Sequence, residues 1–302
     1  MFSLYNHPVP ARLILNADDF GLTPGINRAV IELHQAGCLT SATLMAAGPA
    51  FEEAAALARQ NPTLGIGCHL VFVDGTPITA PRTIPTLCPD GKRFRPSLSA
   101  FVSALLRGAI SPAELIREAP AQILHLQHAG IPVTHLDTHK HTHIFPRVLA
   151  PILVAAQACN VPALRNPFEP RWAVALTPAV PRVRRTQVAL LRALQPAFKR
   201  LTHSINRRGL LPAGTLGIAA TGTLDESTLR ALIPTGDVLY ELCCHPGYQD
   251  SALDQQNTRL RTSRKIELRA FLNVIPQILQ QPIPPQLIHY GDLQASPHES
   301  VP

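Results

Sequence analysis

The chain has 302 residues, 46% hydrophobic and 16% charged, which is enough apolar content for a large core and too much for a disordered protein. Its six cysteines form no C-x-x-C pair, which excludes a disulfide framework and a structural zinc site and predicts reduced, mostly buried thiols. The longest apolar stretches, such as residues 152–158, are far shorter than the roughly 18 residues that span a bilayer, and residues 1–12 do not resemble a signal peptide. We therefore expect a soluble, cytoplasmic protein.

The net charge of +7 comes from one segment. Between Pro170 and Thr223 there are nine Lys or Arg and no Asp or Glu, so the remainder carries eighteen positive against twenty negative charges. A nucleic-acid binder is not expected, because no reading module accompanies the basic segment. Apolar residues recur at helical spacing inside it and predict an amphipathic basic helix over 182–208: Val188, Leu191, Leu194, Phe198 and Leu201. Its basic face is either solvated, in contact with an anionic membrane surface, or a cap over the site.

The first 72 residues alternate between short apolar runs and helix-like segments. Strands are predicted at 12–17, 40–47 and 64–72, and helices at 24–37 and 49–60. Thr23 is the expected N-cap of the first helix, Pro24 its first position and Gly37 its stop. The order βαβαβ predicts parallel strands.

The rest of the chain continues the alternation after a long loop at 73–96, a length typical of functional or mobile loops. Ser111 and Glu114 predict the start of a helix running toward Gly130, with a kink or restart at Pro120. Further strands are predicted at 133–137, 161–165, 214–219, 237–243 and 286–290, and a helix at 145–159. Strands followed by helices favour an α/β fold, namely a distorted (β/α) barrel. We expect a single domain of residues 1–302, with a basic helical insertion at about 170–213 and a C-terminal tail at about 293–302.

Polar residues cluster where predicted strands end, which is the face that carries the active site in α/β barrels. Asp18 and Asp19 are adjacent, so both cannot follow strand alternation, and we expect the strand to turn there with both carboxylates in a site. A helix N-cap role for either is the alternative, but Thr23 already supplies that cap.

Histidines form the second group of candidates. His69 lies in an apolar strand, where a lone imidazole is more often a core residue than a ligand. Five imidazole or carboxylate positions alternate in the segment 135–143 and share one face while it stays extended: His135, Asp137, His139, His141 and His143. This composition favours a divalent metal site over a solvated His-rich loop. His245 is a candidate general acid or a turn residue set by Pro246 and Gly247.

Four motifs together resemble the YdjC-like carbohydrate deacetylase family, which includes chitooligosaccharide deacetylase. They are Asn16-Ala17-Asp18-Asp19-Phe20-Gly21-Leu22, Gly67-Cys68-His69-Leu70, His135-Leu136-Asp137-Thr138-His139-Lys140-His141 and Cys244-His245-Pro246. The resemblance covers the chain from Arg12 to about His245. It implies a distorted (β/α) barrel, one divalent ion, and hydrolysis of the N-acetyl group of an amino sugar.

The resemblance also implies roles by position. Asp19, His69 and His139 match the metal ligands, and Asp18 matches the general base. His245 is our candidate for the acid that protonates the departing amine. The remaining candidates would orient ligands or touch substrate: His135, Asp137, His141, His143 and Arg165. The sequence does not choose between Mg²⁺ and Zn²⁺, although imidazoles favour zinc.

The substrate stays open between an oligosaccharide and a glycolipid. Lys140 interrupts the His run of the chitooligosaccharide branch, and the stretch 164–170 looks more like a hopanoid-biosynthesis-associated branch, whose implied substrate is an N-acetylglucosaminyl lipid. A peripheral contact of the 182–208 helix with the inner membrane surface would then make sense. A homodimer is also left open. The rival interpretations are a metal-dependent phosphoesterase and a non-catalytic metal- or sugar-binding protein, although no phosphate-binding Gly-rich loop is present.

Overall fold

The structure is a computed structural model that describes residues 9–177 and 182–294. The predicted tail at 293–302 therefore lies almost wholly outside the described residues, as do residues 178–181 of the predicted insertion. All six cysteines lie within the described ranges, and each is free and buried, as predicted.

Eight parallel strands form one sheet in the described part of the chain. They are β1 (Arg12–Phe20), β2 (Ser41–Leu44), β3 (Gly65–Leu70), β4 (His135–Thr138), β5 (Ala163–Leu164), β6 (Thr215–Leu216), β7 (Leu239–Cys244) and β8 (Gln286–Leu287). Seven of them are ordered β5-β4-β3-β2-β1-β7-β6, and β8 pairs with the start of β1. The sheet curls into a barrel-like α/β fold, which confirms the predicted fold class.

Helices cover the outside of the curled sheet. Their bounds are α1 (Pro24–Gln35), α2 (Phe51–Gln60), α3 (Leu98–Leu106), α4 (Pro112–His128), α5 (Pro146–Ala158), α6 (Arg171–Leu176), α7 (Arg182–Leu191), α8 (Gln195–Leu201), α9 (His203–Arg207), α10 (Glu226–Ala231), α11 (Ser251–Asp254) and α12 (Thr262–Leu279). The apolar core lies between these helices and the outer face of the strands. Helix α3 was not predicted from the sequence; its N-cap Ser97 accepts a hydrogen bond from Ala100 N.

The predicted helix starts were confirmed at both α1 and α4, which begin at Pro24 and Pro112, but the side-chain cap expected at α4 is not formed. Thr23 caps α1 by accepting from Ile26 N, and Pro24 is its first residue, as predicted. Ser111 makes no side-chain cap at α4, because the Glu114 carboxylate instead accepts from the backbone N–H groups of Thr86 and Leu87. The helix also runs through Pro120 from Pro112 to His128 without a restart.

The loop at 73–96 is held by polar side chains of α4. Glu118 accepts hydrogen bonds from Ile78 N, Thr79 N and the Thr79 hydroxyl. Gln122 pairs with both backbone groups of Val71 at 2.8 Å. Together with Glu114, these residues repeat every fourth position and form one stripe along the helix. The loop is therefore packed against the barrel through its backbone.

The basic segment contains short helices instead of the one amphipathic helix predicted over 182–208. The run breaks after Leu191 and again at Thr202, giving α7, a 3₁₀ turn, α8 and α9. Phe198 is its buried anchor and packs edge-on against Phe168, with ring centroids 5.3 Å apart. Within residues 9–177 and 182–294, the structure has no helix long and apolar enough to cross a membrane.

Candidate functional site

The inner face of the sheet is polar, and alternation along the strands explains why. In β7, Glu241 contacts Arg165, while Leu242 and Cys244 belong to the apolar core outside the sheet. Residues two apart share a face, so Glu241, Cys243 and His245 all line the interior. The same period places Asn16 and Asp18 of β1 inside, where the Asn16 amide donates to Asp18 at 3.1 Å.

A β-bulge lets both adjacent carboxylates of β1 reach the site. The register between β1 and β2 shifts between Ala17 and Phe20, and Asp19 has a φ of +66°. Such a bulge adds one residue and turns the next side chain to the same face. The strand therefore continues to Phe20 instead of turning at the aspartates as predicted, but both carboxylates are buried and point into the site.

Asp19, His69 and His139 bring three metal-ligating atoms together. Asp19 Oδ1 lies 3.6 Å from His69 Nε2 and 3.4 Å from His139 Nδ1, and the two nitrogens are 3.4 Å apart. Donor atoms that share one tetrahedral ion at about 2.1 Å lie about 3.4 Å from one another. The spacing and the chemistry of this donor set therefore fit one divalent cation.

His69 is oriented by its other ring nitrogen. Nδ1 donates to Asp137 Oδ1 at 2.7 Å, which leaves Nε2 directed toward Asp19. Burial lowers the pKa of His69, but the carboxylates of Asp137, Asp18 and Asp19 raise it to about 9. A surplus of negative charge thus surrounds this imidazole, which is the setting that a cation would neutralise.

Asp18 is held by a buried guanidinium. Arg165 Nη1 donates to Asp18 Oδ2 at 2.9 Å and Nη2 donates to Oδ1 at 2.6 Å. Burial raises the pKa of Asp18, but the charge of Arg165, followed by that of His69, outweighs it and holds the pKa well below its usual value. Asp18 is therefore an ionised acceptor with a fixed orientation.

Arg165 is the centre of this network and is itself fully buried. Besides Asp18, it pairs with Asp137 Oδ2 and with both oxygens of Glu241. Tyr290 donates to Glu241 Oε2 at 2.6 Å and extends the network toward the base of the barrel. Three carboxylates around one guanidinium would repel one another without it.

His245 lies at the end of β7, between two carboxylates. Its Nε2 is 3.7 Å from Asp18 Oδ2, and its backbone N–H donates to Glu267 Oε2 at 2.6 Å. Burial lowers the pKa of His245 to about 4 despite the opposing charges of Asp18 and Asp19, so the imidazole is neutral near pH 7. Burial therefore outweighs the two neighbouring negative charges.

The other histidines of the segment 135–143 do not share one face. β4 ends at Thr138, and Lys140 and His141 have positive φ angles, so the chain leaves the extended conformation that alternation required. His135 stacks on Tyr290 below the site, with ring centroids 3.8 Å apart, and packs on Gly67, where a Cβ would lie 2.5 Å from the ring. His143 contacts the Thr138 hydroxyl, whereas His141 is close enough to Asp18 for their charges to interact.

Several residues of the site were not identified from the sequence. Arg264 of α12 donates to Asp19 Oδ2 at 2.6 Å, and Glu267 of the same helix holds His245. Thr43 lies 3.2 Å from His69 Nδ1 and 3.3 Å from Asp137 Oδ2. Glu241 could have been identified, because it lies two residues before Cys243 and four before His245 and so shares their face of β7. The α12 residues carry no local signal, since they reach the site only through the fold.

Comparison with known proteins extends these observations. The sequence model of the family described as YdjC-like protein matches residues 12–279. The chain is 40% identical over 157 residues to a carbohydrate deacetylase of Brevibacillus brevis, covering 52% of this chain and 60% of that protein. It is 37% identical over 151 residues to a carbohydrate deacetylase of Vibrio campbellii, covering 50% and 57%. The chain thus spans less than two thirds of the length of these curated relatives.

A solved structure shows the same fold. The protein of Enterococcus faecalis described as a cellobiose-phosphate cleavage protein superposes with a TM-score of 0.74, covering 94% of this chain and 99% of that chain. Sequence identity is 23%, so the likeness concerns the fold alone. The match across nearly the full length agrees with the curled parallel sheet described above.

Proposed function

Because the chain belongs to the YdjC-like protein family, we propose that it is a metal-dependent hydrolase that removes the N-acetyl group from an amino sugar. The observation that carries this proposal is the triangle of Asp19 Oδ1, His69 Nε2 and His139 Nδ1, with sides of 3.4 to 3.6 Å. Asp18, which precedes Asp19 in the chain, supplies a second buried carboxylate. The named activity of the curated deacetylases supports the substrate class.

The ligands would be Asp19, His69 and His139, and a bound Zn²⁺ or Mg²⁺ supplies Lewis acidity toward the acetyl carbonyl and the attacking water. Asp137 orients His69 by accepting a hydrogen bond from its Nδ1–H group. Asp18 accepts the proton of the water, and Arg165 fixes both carboxylate oxygens while it does so.

His245 delivers a proton to the departing amine. Since its pKa is about 4, the imidazole begins neutral and must first gain a proton. Asp18 Oδ2, 3.7 Å from Nε2, is the nearby group that collects one. The proton taken from water thus passes from Asp18 to His245 and then to the amine nitrogen. His135 and His143 support this arrangement from below, and His141 faces the substrate.

The test is acetate release by the purified protein from N,N'-diacetylchitobiose and from an N-acetylglucosaminyl lipid. We expect release from one of them, loss of release with a chelator, and recovery with added Zn²⁺ or Mg²⁺. The substrate that reacts distinguishes an oligosaccharide from a glycolipid. No release from either, with one metal ion bound per chain, would contradict the proposal in favour of a phosphoesterase or a non-catalytic binding protein.

The glycolipid alternative includes a contact between the basic segment and an anionic membrane surface, such as the inner membrane. Exposed cations support it, as do Leu190 and Leu201, which are 69% and 37% exposed. The exposed cations of the segment are Arg185, Lys199, Arg200, Arg207 and Arg208. The same proposal treats residues 1–302 as one domain with this segment inserted at about 170–213.

Liposome pelleting tests this contact. We expect binding to vesicles that contain anionic lipid and its loss when Arg185, Arg207 and Arg208 are replaced by Gln. The matched control replaces three exposed arginines elsewhere, Arg82, Arg93 and Arg269, and should still pellet. Pelleting that depends neither on anionic lipid nor on the arginines of the segment would contradict the membrane contact.

A further inference from the structure

Cys243 lies beside the catalytic base but has no part in the mechanism above. It faces the barrel interior with Glu241, and its partner in β1 is Asn16, two residues before Asp18. One ligand atom each from Asp18, Cys243 and His245 lies within 4.8 Å of the others, and all three residues are buried. A thiol, an imidazole and a carboxylate therefore converge, and none of the three belongs to the triangle of Asp19, His69 and His139.

We infer that Asp18, Cys243 and His245 form a second cation site, which takes a thiophilic divalent ion such as Zn²⁺ and thereby blocks hydrolysis. The binding part of this inference stands on the three side chains alone, whereas the inhibition rests on the proposed function. Sulfur, nitrogen and carboxylate oxygen are the donors that Zn²⁺ prefers in proteins. Mg²⁺, which prefers oxygen ligands, should not compete for a site with a thiolate.

Asp18 can take an ion without losing all of its present contacts. Its Oδ1 accepts from the Asn16 amide and from Arg165 Nη2, whereas Oδ2 accepts, within the described residues, one hydrogen bond, from Arg165 Nη1 at 2.9 Å. A carboxylate oxygen offers about two lone pairs, so Oδ2 retains one. His245 Nε2, the second donor, lies 3.7 Å from this oxygen.

The thiol of Cys243 must lose its proton before its sulfur can bind a cation, so binding at this site should strengthen as the pH rises. Burial, followed by the charge of Asp18, raises the pKa of Cys243 well above its ordinary value, so the group is a neutral thiol while no cation is present. When the ion binds, the S–H bond breaks, the sulfur–metal bond forms, and the proton goes to solvent. No oxidant or further reactant is needed.

Occupation of this site would stop the proposed reaction in two ways. The ion would take the Oδ2 lone pair with which Asp18 accepts the proton of water, and the Nε2 lone pair with which His245 receives it. Excess Zn²⁺ should therefore inhibit an enzyme that already holds its first ion, while excess Mg²⁺ should not.

The test counts Zn²⁺ bound per chain by equilibrium dialysis over a range of free Zn²⁺, in the full chain and in two serine variants. We expect two ions in the unmodified protein, and weakening of the second by roughly a hundredfold or more in Cys243→Ser. The control is Cys244→Ser, since Cys244 is equally buried but belongs to the apolar core on the other face of the sheet, and it should still bind two ions. Cd²⁺ should give thiolate-to-metal ultraviolet absorption in all but Cys243→Ser.

Binding of one ion at every concentration, or an unchanged second ion in Cys243→Ser, would overturn the inference. Cys243→Ala replaces the serine variant where circular dichroism shows that the serine prevents folding. Acetate release measured in parallel separates the two proposals. If a second ion binds and depends on Cys243 but no substrate releases acetate, only the proposed function is refuted. If acetate is released, excess Zn²⁺ does not inhibit the release and only one ion binds, only the second site is refuted.

Discussion

At the scale of single residues, two neighbouring aspartates have different environments. Asp18 is paired through both oxygens with Arg165, whereas Asp19 uses Oδ2 for Arg264 and leaves Oδ1 facing His69 and His139. Burial raises the pKa of both carboxyls, but the charge of the paired arginine outweighs it in each case. Asp18 therefore has a fixed orientation, whereas Asp19 keeps Oδ1 directed toward the two imidazoles.

Replacement of Asp18 by Asn tests the role of its carboxylate. The amide is nearly isosteric but cannot accept the proton, so we expect kcat to fall by roughly 10²- to 10⁴-fold. Metal content should stay at one ion per chain at low free metal, because the three ligands of that ion are intact. Asp19→Asn is the matched variant and should lower metal content as well as activity. Equal metal loss in both variants would contradict separate roles for the two carboxylates.

At the scale of secondary structure, α4 shows how one helix stabilises a loop that has no periodic pattern. Its Glu114 and Glu118 side chains, four residues apart, accept hydrogen bonds from backbone N–H groups of the loop at 73–96. A buried N–H without a partner is costly, so these acceptors stabilise the path of the loop. Glu114 was predicted in a capping box because an acidic residue three positions after Ser111 fits that role as well as the observed one, an acceptor for the loop.

We expect Glu118→Ala to loosen the loop, because Ile78 N and Thr79 N lose their acceptor. Amide hydrogen exchange at these two positions should become faster, and the free energy of unfolding should fall by about 1–3 kcal/mol. Glu118→Gln, which keeps one acceptor oxygen, should have a smaller effect. Unchanged exchange at both amides in Glu118→Ala would show that the loop is held by its other contacts.

At the scale of the whole molecule, the curled sheet is closed by a side chain at its last gap. β5 and β6 are the two ends of the strand order and share no backbone pairing among the described residues. The Asn166 amide, just after β5, donates to Pro212 O and Ala213 O, just before β6, and Thr215 donates to the Asn166 carbonyl. This bridge keeps Arg165 beside Asp18 and Glu241.

Asn166→Ala should therefore destabilise the fold by about 2–4 kcal/mol, since two carbonyl groups lose their donor. Urea unfolding measures the change. The control is Asn273→Ala, because the Asn273 amide makes an exposed hydrogen bond with Glu226 and its loss should change stability by less than about 0.5 kcal/mol. Equal effects of the two variants would show that the Asn166 bridge does not stabilise the closure.

The sequence by itself determined the alternation of strands and helices, the α/β barrel-like fold, and the positions where polar residues end the strands. Each of these depends on neighbours along the chain, such as the run of apolar residues before Asp18 or the cap at Thr23. It did not determine the path after Thr138, where positive φ angles at Lys140 and His141 end the strand that alternation assumed.

Only the tertiary structure decided which polar groups meet. Arg165 and Asp18 are 147 residues apart in the chain, and Arg264 and Asp19 are 245 apart. Their contacts exist because the sheet curls and brings the carboxyl ends of its strands around one interior, while α12 packs against α1 and α10 and brings Arg264 to Asp19. No local pattern records such a meeting, so the partners of Asp18, Asp19 and His245 follow from the closure of the barrel.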